Sequence, residues 1–220
     1  MEPLRVTAVL AEPVVYFGDG MHFDGILSWG AFAALSPEAR EALPSIGGPT
    51  AVDFDMPLAR WKVGDVWGWR ASAAHAEWLA DTKVEVRKRP PQAEMARYTT
   101  AGSVQINCGS FKAQDKAFPA RVAREVVWYA VGERPAVEAL LAFVPHIGKL
   151  SRHGNGRVLE WRVDQWAPDW AIERDGALTR RMPAAYRPDE VPGRGGLRAP
   201  YHHLSRQGPC VEPDFMALRP

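Results

Sequence analysis

The chain has 220 residues, 46% hydrophobic and 24% charged, with a formal net charge of +1. Such a composition excludes a disordered tail or a fibre and predicts a globular protein with a real core. No run reaches the about 18 apolar residues of a membrane helix, and MEPLRVTAVLAEP lacks the basic start and cleavage site of a secretory signal. Two cysteines, Cys108 and Cys210, exclude a disulfide framework, so the expectation is a cytoplasmic protein with free thiols and no membrane contact.

The stretch LRVTAVL (4–10) alternates and is rich in β-branched residues, which predicts a strand. After a turn signal at Asp19-Gly20, residues 23–35 place Phe23, Ile26, Leu27, Gly30 and Ala34 at helical spacing, with Asp24 in the first turn. Ser36-Pro37 ends that helix and starts another over 36–43, with Ser36 as N-cap. Residues 52–70 predict a hairpin turning at Gly64-Asp65. Its three tryptophans fit core packing better than ligand stacking. KVEVRKRP (83–90) and GSVQINCGSF (102–111) predict strands flanking a polar loop, so 83–124 reads as a long basic β-hairpin arm. A strand over 124–132, a helix from Arg134-Pro135 to Val144 and a strand over 157–166 follow. From about 167 the chain is rich in Pro, Gly and Arg with little periodicity, which predicts an irregular extension (167–220) packed on a domain of residues 1–166. The element order is the βαββαβ pattern of an α+β, ferredoxin-like or RNA-recognition-type fold with an inserted arm.

Charge is unevenly spread. Residues 1–82 carry −6, residues 83–124 carry +6 and the remainder +1. A cationic surface on the arm and a solvated charged hairpin both fit this. The stretch HIGKLSRHGNGRVLEWR (146–162) adds three glycines, four arginine or lysine side chains and a second histidine between a helix and a strand. Walker and dinucleotide loops have the opposite order, strand then helix, so a nucleotide cofactor is not expected. Two readings remain. One is a plain helix-to-strand turn. The other is a loop whose Gly148, Gly154 and Gly156 let the backbone approach a phosphodiester chain, with Lys149, Arg152, His153 and Arg157 as cations.

Gly148-KLSRH-Gly154-Asn155-Gly156 resembles the glycine-rich loop of the RAMP superfamily of CRISPR-associated RNA-binding proteins. HFDGILSWGAFAAL (22–35) resembles the first-helix segment of the Cas-five-like subunit of type IV CRISPR effectors. Trp69-Arg70-Ala71-Ser72 is similar to that family's Trp-x-Ala-Ser segment, and APYHHLSRQGPCVEPD (199–214) to its ending, with His202 in place of an aromatic. The resemblance covers nearly the whole chain. It implies a subunit that caps the 5′ handle of a guide RNA in a ribonucleoprotein acting against plasmids or phage. It also implies a hooked arm that reaches the repeated backbone subunit. Arg87, Lys88, Arg89, Arg97, Lys112, Lys116 and Arg121 would then face phosphates, and Tyr98 would stack on a base. Asn155 and His22 join the RNA-facing set, and target DNA beside the protospacer is a possible further partner.

Some RAMP proteins cut precursor guide RNA without metal, which needs a general acid and a general base. His22, His153, His202 and His203 are the residue types for that work. A separate subunit usually does this in type IV systems, so the resemblance implies a non-catalytic chain, with a processing endoribonuclease as the alternative. His202, His203, Cys210 and Asp214 lack metal-ligand spacing, so neither a metal nor another cofactor is expected. WAPDWAIERDG (166–176) reads as an exposed protein-docking segment if the chain binds no RNA.

Overall fold

Strand β1 (Glu2–Leu10) lies at the centre of the structure, a computed structural model that describes residues 1–15, 20–44, 48–100, 104–107 and 112–213. It pairs antiparallel with β6 (Glu125–Gly132) on one side and with β7 (Val158–Gln165) on the other. The alternation of β1 sets the faces. Leu4, Val6, Ala8 and Leu10 enter the core, while Arg5 and Val9 do not. Strand β6 is buried on both sides, from Val126 to Ala130, which explains its unbroken apolar sequence.

Helices α1 (Phe23–Ala34) and α4 (Arg134–Leu141) cover one face of this sheet. Phe23, Leu27, Val137, Leu141 and Val144 pack against Val6, Trp128 and Val163 there. Gly30 is the point of closest approach: a β-carbon at that position would lie 2.7 Å from the Leu140 carbonyl. Indole N–H groups fix the two helices further. Trp128 Nε1 donates to the Met21 carbonyl at 2.8 Å and Trp161 Nε1 to the Val144 carbonyl at 2.9 Å. Helix α2 (Pro37–Glu41) starts as expected, with Ser36 Oγ accepting from the Ala39 N–H.

The predicted hairpin is present as β2 (Arg60–Val63) and β3 (Val66–Trp69), turning at Gly64-Asp65. The chain after it runs along the free edge of β6 through bridges Ala71–Ala130 and His75–Val127. The Ser72 hydroxyl breaks the ladder there by accepting from the Tyr129 N–H at 2.9 Å.

The arm is formed by β4 (Ala80–Lys88) and β5 (Gln114–Val122), in register from Ala80–Val122 to Lys88–Gln114. Its returning strand is therefore 114–122 and not 102–111. Residues 104–107 form no strand, and 101–103 and 108–111, Cys108 included, lie outside the described residues. The alternation of 104–106 reads as strand, yet only QDKAFPARV meets a partner of matching length. Between the strands lie α3 (Gln92–Met95) and a 3₁₀ turn over Ala96–Tyr98.

The region after 166 is more ordered than its composition predicts. It makes β8 (Glu173–Arg174) with β9 (Ala177–Leu178), and a sheet in the order β10 (Met182–Pro183), β12 (Gln207–Val211), β11 (Gly193–Gly196). A second apolar cluster sits beneath, where Ile172, Leu178, Met182, Leu197, Cys210 and Val211 meet Trp61 of β2. Strands of two to five residues carry too little periodicity to be read from sequence. The segment 166–176 is exposed at 167–169, 175 and 176, with Trp166 and Trp170 half-buried and Ala171 and Ile172 buried. Trp166 and Trp170 lie 6.0 and 4.9 Å from Tyr129 and cover the face of the sheet away from the helices.

Candidate nucleic-acid interface

The glycine-rich loop leaves α4 at Pro145 and enters β7 at Val158. Backbone bonds close it into a fixed shape. The Ile147 N–H donates to Gly156 at 2.8 Å, Gly156 donates to Pro13 at 2.9 Å, and Lys149 donates to Val15 at 2.6 Å. Leu150 (φ 61°) and Gly154 (φ 86°) flank a 3₁₀ turn over Ser151–His153. Lys149, Arg152, His153, Gly154 and Arg157 are exposed, whereas Asn155 is buried and its side-chain amide donates to the Leu150 carbonyl.

Two of the three glycines serve the protein's own packing. At Gly148 a β-carbon would lie 2.6 Å from the Val15 carbonyl, and at Gly156 it would lie 1.9 Å from the Ile147 carbonyl, both at positive φ. Gly154 opens outward, with nothing among the described residues within 4 Å of the same point. The space beside Gly148 and Gly156 in the β-carbon direction is thus taken up by the protein's own backbone, while that beside Gly154 is open.

The strap Pro13–Val15 joins the loop to the arm. The Val14 N–H and carbonyl both bond Arg121 at the foot of β5, at 2.8 and 2.9 Å, while Val15 bridges Lys149. The sequence separates Arg121 and Lys149 by 28 positions, and two consecutive strap residues bring them together. The strap was unread in the sequence because AEPVV carries no pattern longer than one turn.

Along the arm, Arg87 is ion-paired with Glu85 at 2.8 Å and Asp115 at 3.4 Å, and Arg121 with Asp81 at 3.1 Å. Among the described residues, Arg89, Arg97, Lys112 and Lys116 are exposed and form no ion pair. Lys88 is exposed as well, and Tyr98 on the tip turn is 91% exposed. Exposed pairs such as Arg87–Glu85 are worth well under about 1 kcal/mol each, so they yield readily to a phosphate.

His22 is not at the surface. It is 5% exposed and stacks on Tyr201 at 4.6 Å, and neither ring nitrogen meets a hydrogen-bond partner among the described residues. Its place at the α1 start was legible, but the tail that covers it lies 179 positions away. Burial first, then the Arg180 and Arg181 charges, hold its pKa well below the usual value of 6.5. The unfolded chain gains a proton as pH falls through that value, while folded His22 stays neutral. Its share of stability is therefore full above about pH 6.5 and is lost as pH falls. Asp24, fully buried, shifts upward because burial outweighs Arg180 and the Tyr201 hydroxyl that donates to it at 2.6 Å. Its contribution has the opposite sign and declines as pH rises above its ordinary range. A His22→Phe variant isolates the histidine. Relative to wild type, its unfolding free energy is expected to gain up to about 1.4 kcal/mol per pH unit below about 6.5. Urea midpoints at neutral and mildly acidic pH check this, and parallel curves for the two proteins would refute it.

The other histidines do not converge. His203 binds Ser205 Oγ and the Gly48 carbonyl, each at 2.8 Å, so it secures the tail; His202 is exposed. Cys210 is buried with its Sγ 3.6 Å from Glu212, and Asp214 lies outside the described residues. Among the described residues no three His, Cys, Asp or Glu side chains lie close enough to hold a metal, and no helix is long and apolar enough to cross a membrane.

Two hollows border the α1/α4 layer. The larger, about 930 Å³, lies between α4 and residues 55–60; Arg60 in its lining is 3.4 Å from Asp55. The smaller, about 440 Å³, lies between α1 and the glycine-rich loop, beside the exposed cations.

No curated protein matches this chain. The profile of the family described as CRISPR type IV associated protein Csf3 matches residues 2–213, a span that includes the strap, the arm, the loop and the buried tail network. The chain therefore belongs to the CRISPR type IV associated Csf3 family and is a Cas-five-like subunit of a type IV CRISPR system.

Proposed function

We propose that the chain is a non-catalytic RNA-binding subunit that caps the 5′ handle of the guide RNA in a cytoplasmic type IV ribonucleoprotein. The observation that carries this is the strap: residues 14 and 15 fasten the foot of the basic arm and the cationic side of the glycine-rich loop to one another. A single strand passing across it meets Lys149, Arg152, His153 and Arg157 on the loop and then the cations of the arm. Cations arranged in this way set the position of a phosphate chain without reading its sequence. Tyr98 at the arm tip offers a base an exposed ring. Nine residues of β4 make the arm about 30 Å long, enough to reach a neighbouring backbone subunit. Target DNA beside the protospacer is a second nucleic-acid partner in this reading.

The core order β7-β1-β6, continued by residues 71–75 on the far edge of β6, supports a ferredoxin-like core of residues 1–166. Residues 167–220 are its extension. The buried, neutral His22 supports a binding role over cleavage.

Mobility shifts with labelled precursor guide RNA test the proposal. The Lys149→Ala/Arg152→Ala pair is expected to bind more weakly, with a log–log salt slope shallower by about 1.4 if each cation meets one phosphate of a single strand. An unchanged slope would remove the loop from the interface. Cut products abolished by His22→Ala would make the chain a processing nuclease instead.

A further inference from the structure

The cleft between α1 and the glycine-rich loop has two walls. His22, Gly25, Ile26 and Trp29 form one, spaced i, i+3, i+4 and i+7 on a single helix face. Val144, Ile147, Gly148 and Ser151 form the other, on the chain leaving α4. The hollow of about 440 Å³ falls within the range of small-ligand sites. Among the described residues no Asp, Glu, Lys or Arg lines it, so this lining suits a neutral ligand. The half-buried His146 ring and the Ser151 hydroxyl supply polar groups, while Lys149 and Arg152 stand just outside along the chain. Trp29 is 56% exposed at this cleft and is braced by Phe32 at 5.4 Å. Its indole lies outside the core that Phe23, Leu27 and Gly30 of the same helix enter.

We propose that this cleft holds one unstacked nucleobase of the bound RNA, with the Trp29 indole as its stacking surface. The proposal rests on the RNA-binding reading above. A nucleobase has the required form: flat apolar faces, a polar edge for His146 and Ser151, and a phosphate on either side for cations at the rim. The glycine-rich loop would then hold backbone and base at once. Phosphates lie on its outer cations, and the base enters behind Gly148.

The test combines protein and RNA changes, using the full chain and precursor guide RNAs that each carry one abasic nucleotide along the 5′ segment. Trp29→Ala is expected to weaken binding about 5- to 150-fold, the usual effect of removing one base–aromatic stack. Trp29→Phe is expected to restore most of it. At one RNA position the abasic substitution is expected to weaken wild type by a similar factor and to add nothing to Trp29→Ala. Melting curves check that the variants remain folded. If the two losses add at every position, or if Trp29→Ala binds like wild type while Lys149→Ala/Arg152→Ala does not, the cleft assignment falls and the loop reading stands. Absence of guide-RNA binding by wild type, alone and with its partner subunits, overturns both.

Discussion

Replacing Arg180 with methionine is expected to remove about 3–5 kcal/mol of folding stability, the usual effect of breaking a fully buried charged network. Arg180 has no solvent exposure. Its guanidinium donates to the carbonyls of Trp69, Ala71 and Leu197 and to the Tyr201 hydroxyl, and it lies 5.4 Å from the centre of the Trp61 ring. It thereby ties the hairpin, the edge segment and the tail together. Methionine keeps the apolar stem but leaves three carbonyls buried without a donor, each costing about 1–3 kcal/mol before relaxation. Lysine keeps the charge yet cannot reproduce the planar fork, so Arg180→Lys is expected to fall between the two. The loss should also grow with pH. Arg180 is the leading influence opposing the upward shift of Asp24. Without it the Asp24 carboxyl holds its proton to higher pH, and ionising it in place becomes more costly. Denaturant midpoints give the energy, and limited proteolysis is expected to cut first within 167–213. A loss below about 1 kcal/mol would show that the network is dispensable.

Gly156→Ala is expected to destabilise by about 2–4 kcal/mol, more than any other single substitution in the glycine-rich loop, because strain and steric overlap act together. Its φ is +63°, and an added β-carbon would lie 1.9 Å from a backbone oxygen, which cannot swing aside as a side chain can. The same residue holds the loop closed through its bonds to Ile147 and Pro13. Gly154→Ala is the matched control. It meets the left-handed strain but no neighbour among the described residues, so about 1–2 kcal/mol is expected. The pair also separates two kinds of glycine. Gly156→Ala should weaken RNA binding only in proportion to loss of folded protein. Gly154→Ala, at the outward-facing position, should weaken it with the protein intact. Equal stability losses would mean that the loop adjusts at 156, and intact binding by Gly154→Ala would mean that no ligand backbone approaches there.

Local periodicity made much of the fold legible. LRVTAVL, the face of α1, the Ser36 cap, the Gly64-Asp65 turn and the apolar run of β6 each encode their element within a few residues. The basic arm was also legible, because charge and alternation survive in a hairpin that buries little. Its returning strand was misplaced, since register depends on the partner strand and 104–106 alternates as convincingly as 114–122. Within the site, the exposed loop cations were found as cations. Asn155 and His22, expected among the RNA-facing residues, are buried, and His22 borders the cleft beside the loop, because exposure is decided by whatever covers a residue.

The sequence by itself determined the main strands and helices of the core, the charge asymmetry and the family resemblance, which can be read without knowing which segments meet. Only the tertiary structure decided that Val14 and Val15 join arm to loop, that Gly148 and Gly156 serve internal packing, and that Trp29 stands at a cleft whose described lining carries no charged side chain. It also decided that Arg180, one of 27 basic residues, belongs to the core. An arginine can be buried only where several chain segments present their carbonyls to one guanidinium, and those segments come from positions 69, 71 and 197. A convergence of that kind has no local signature, because it depends on how distant segments meet and not on the residues beside it.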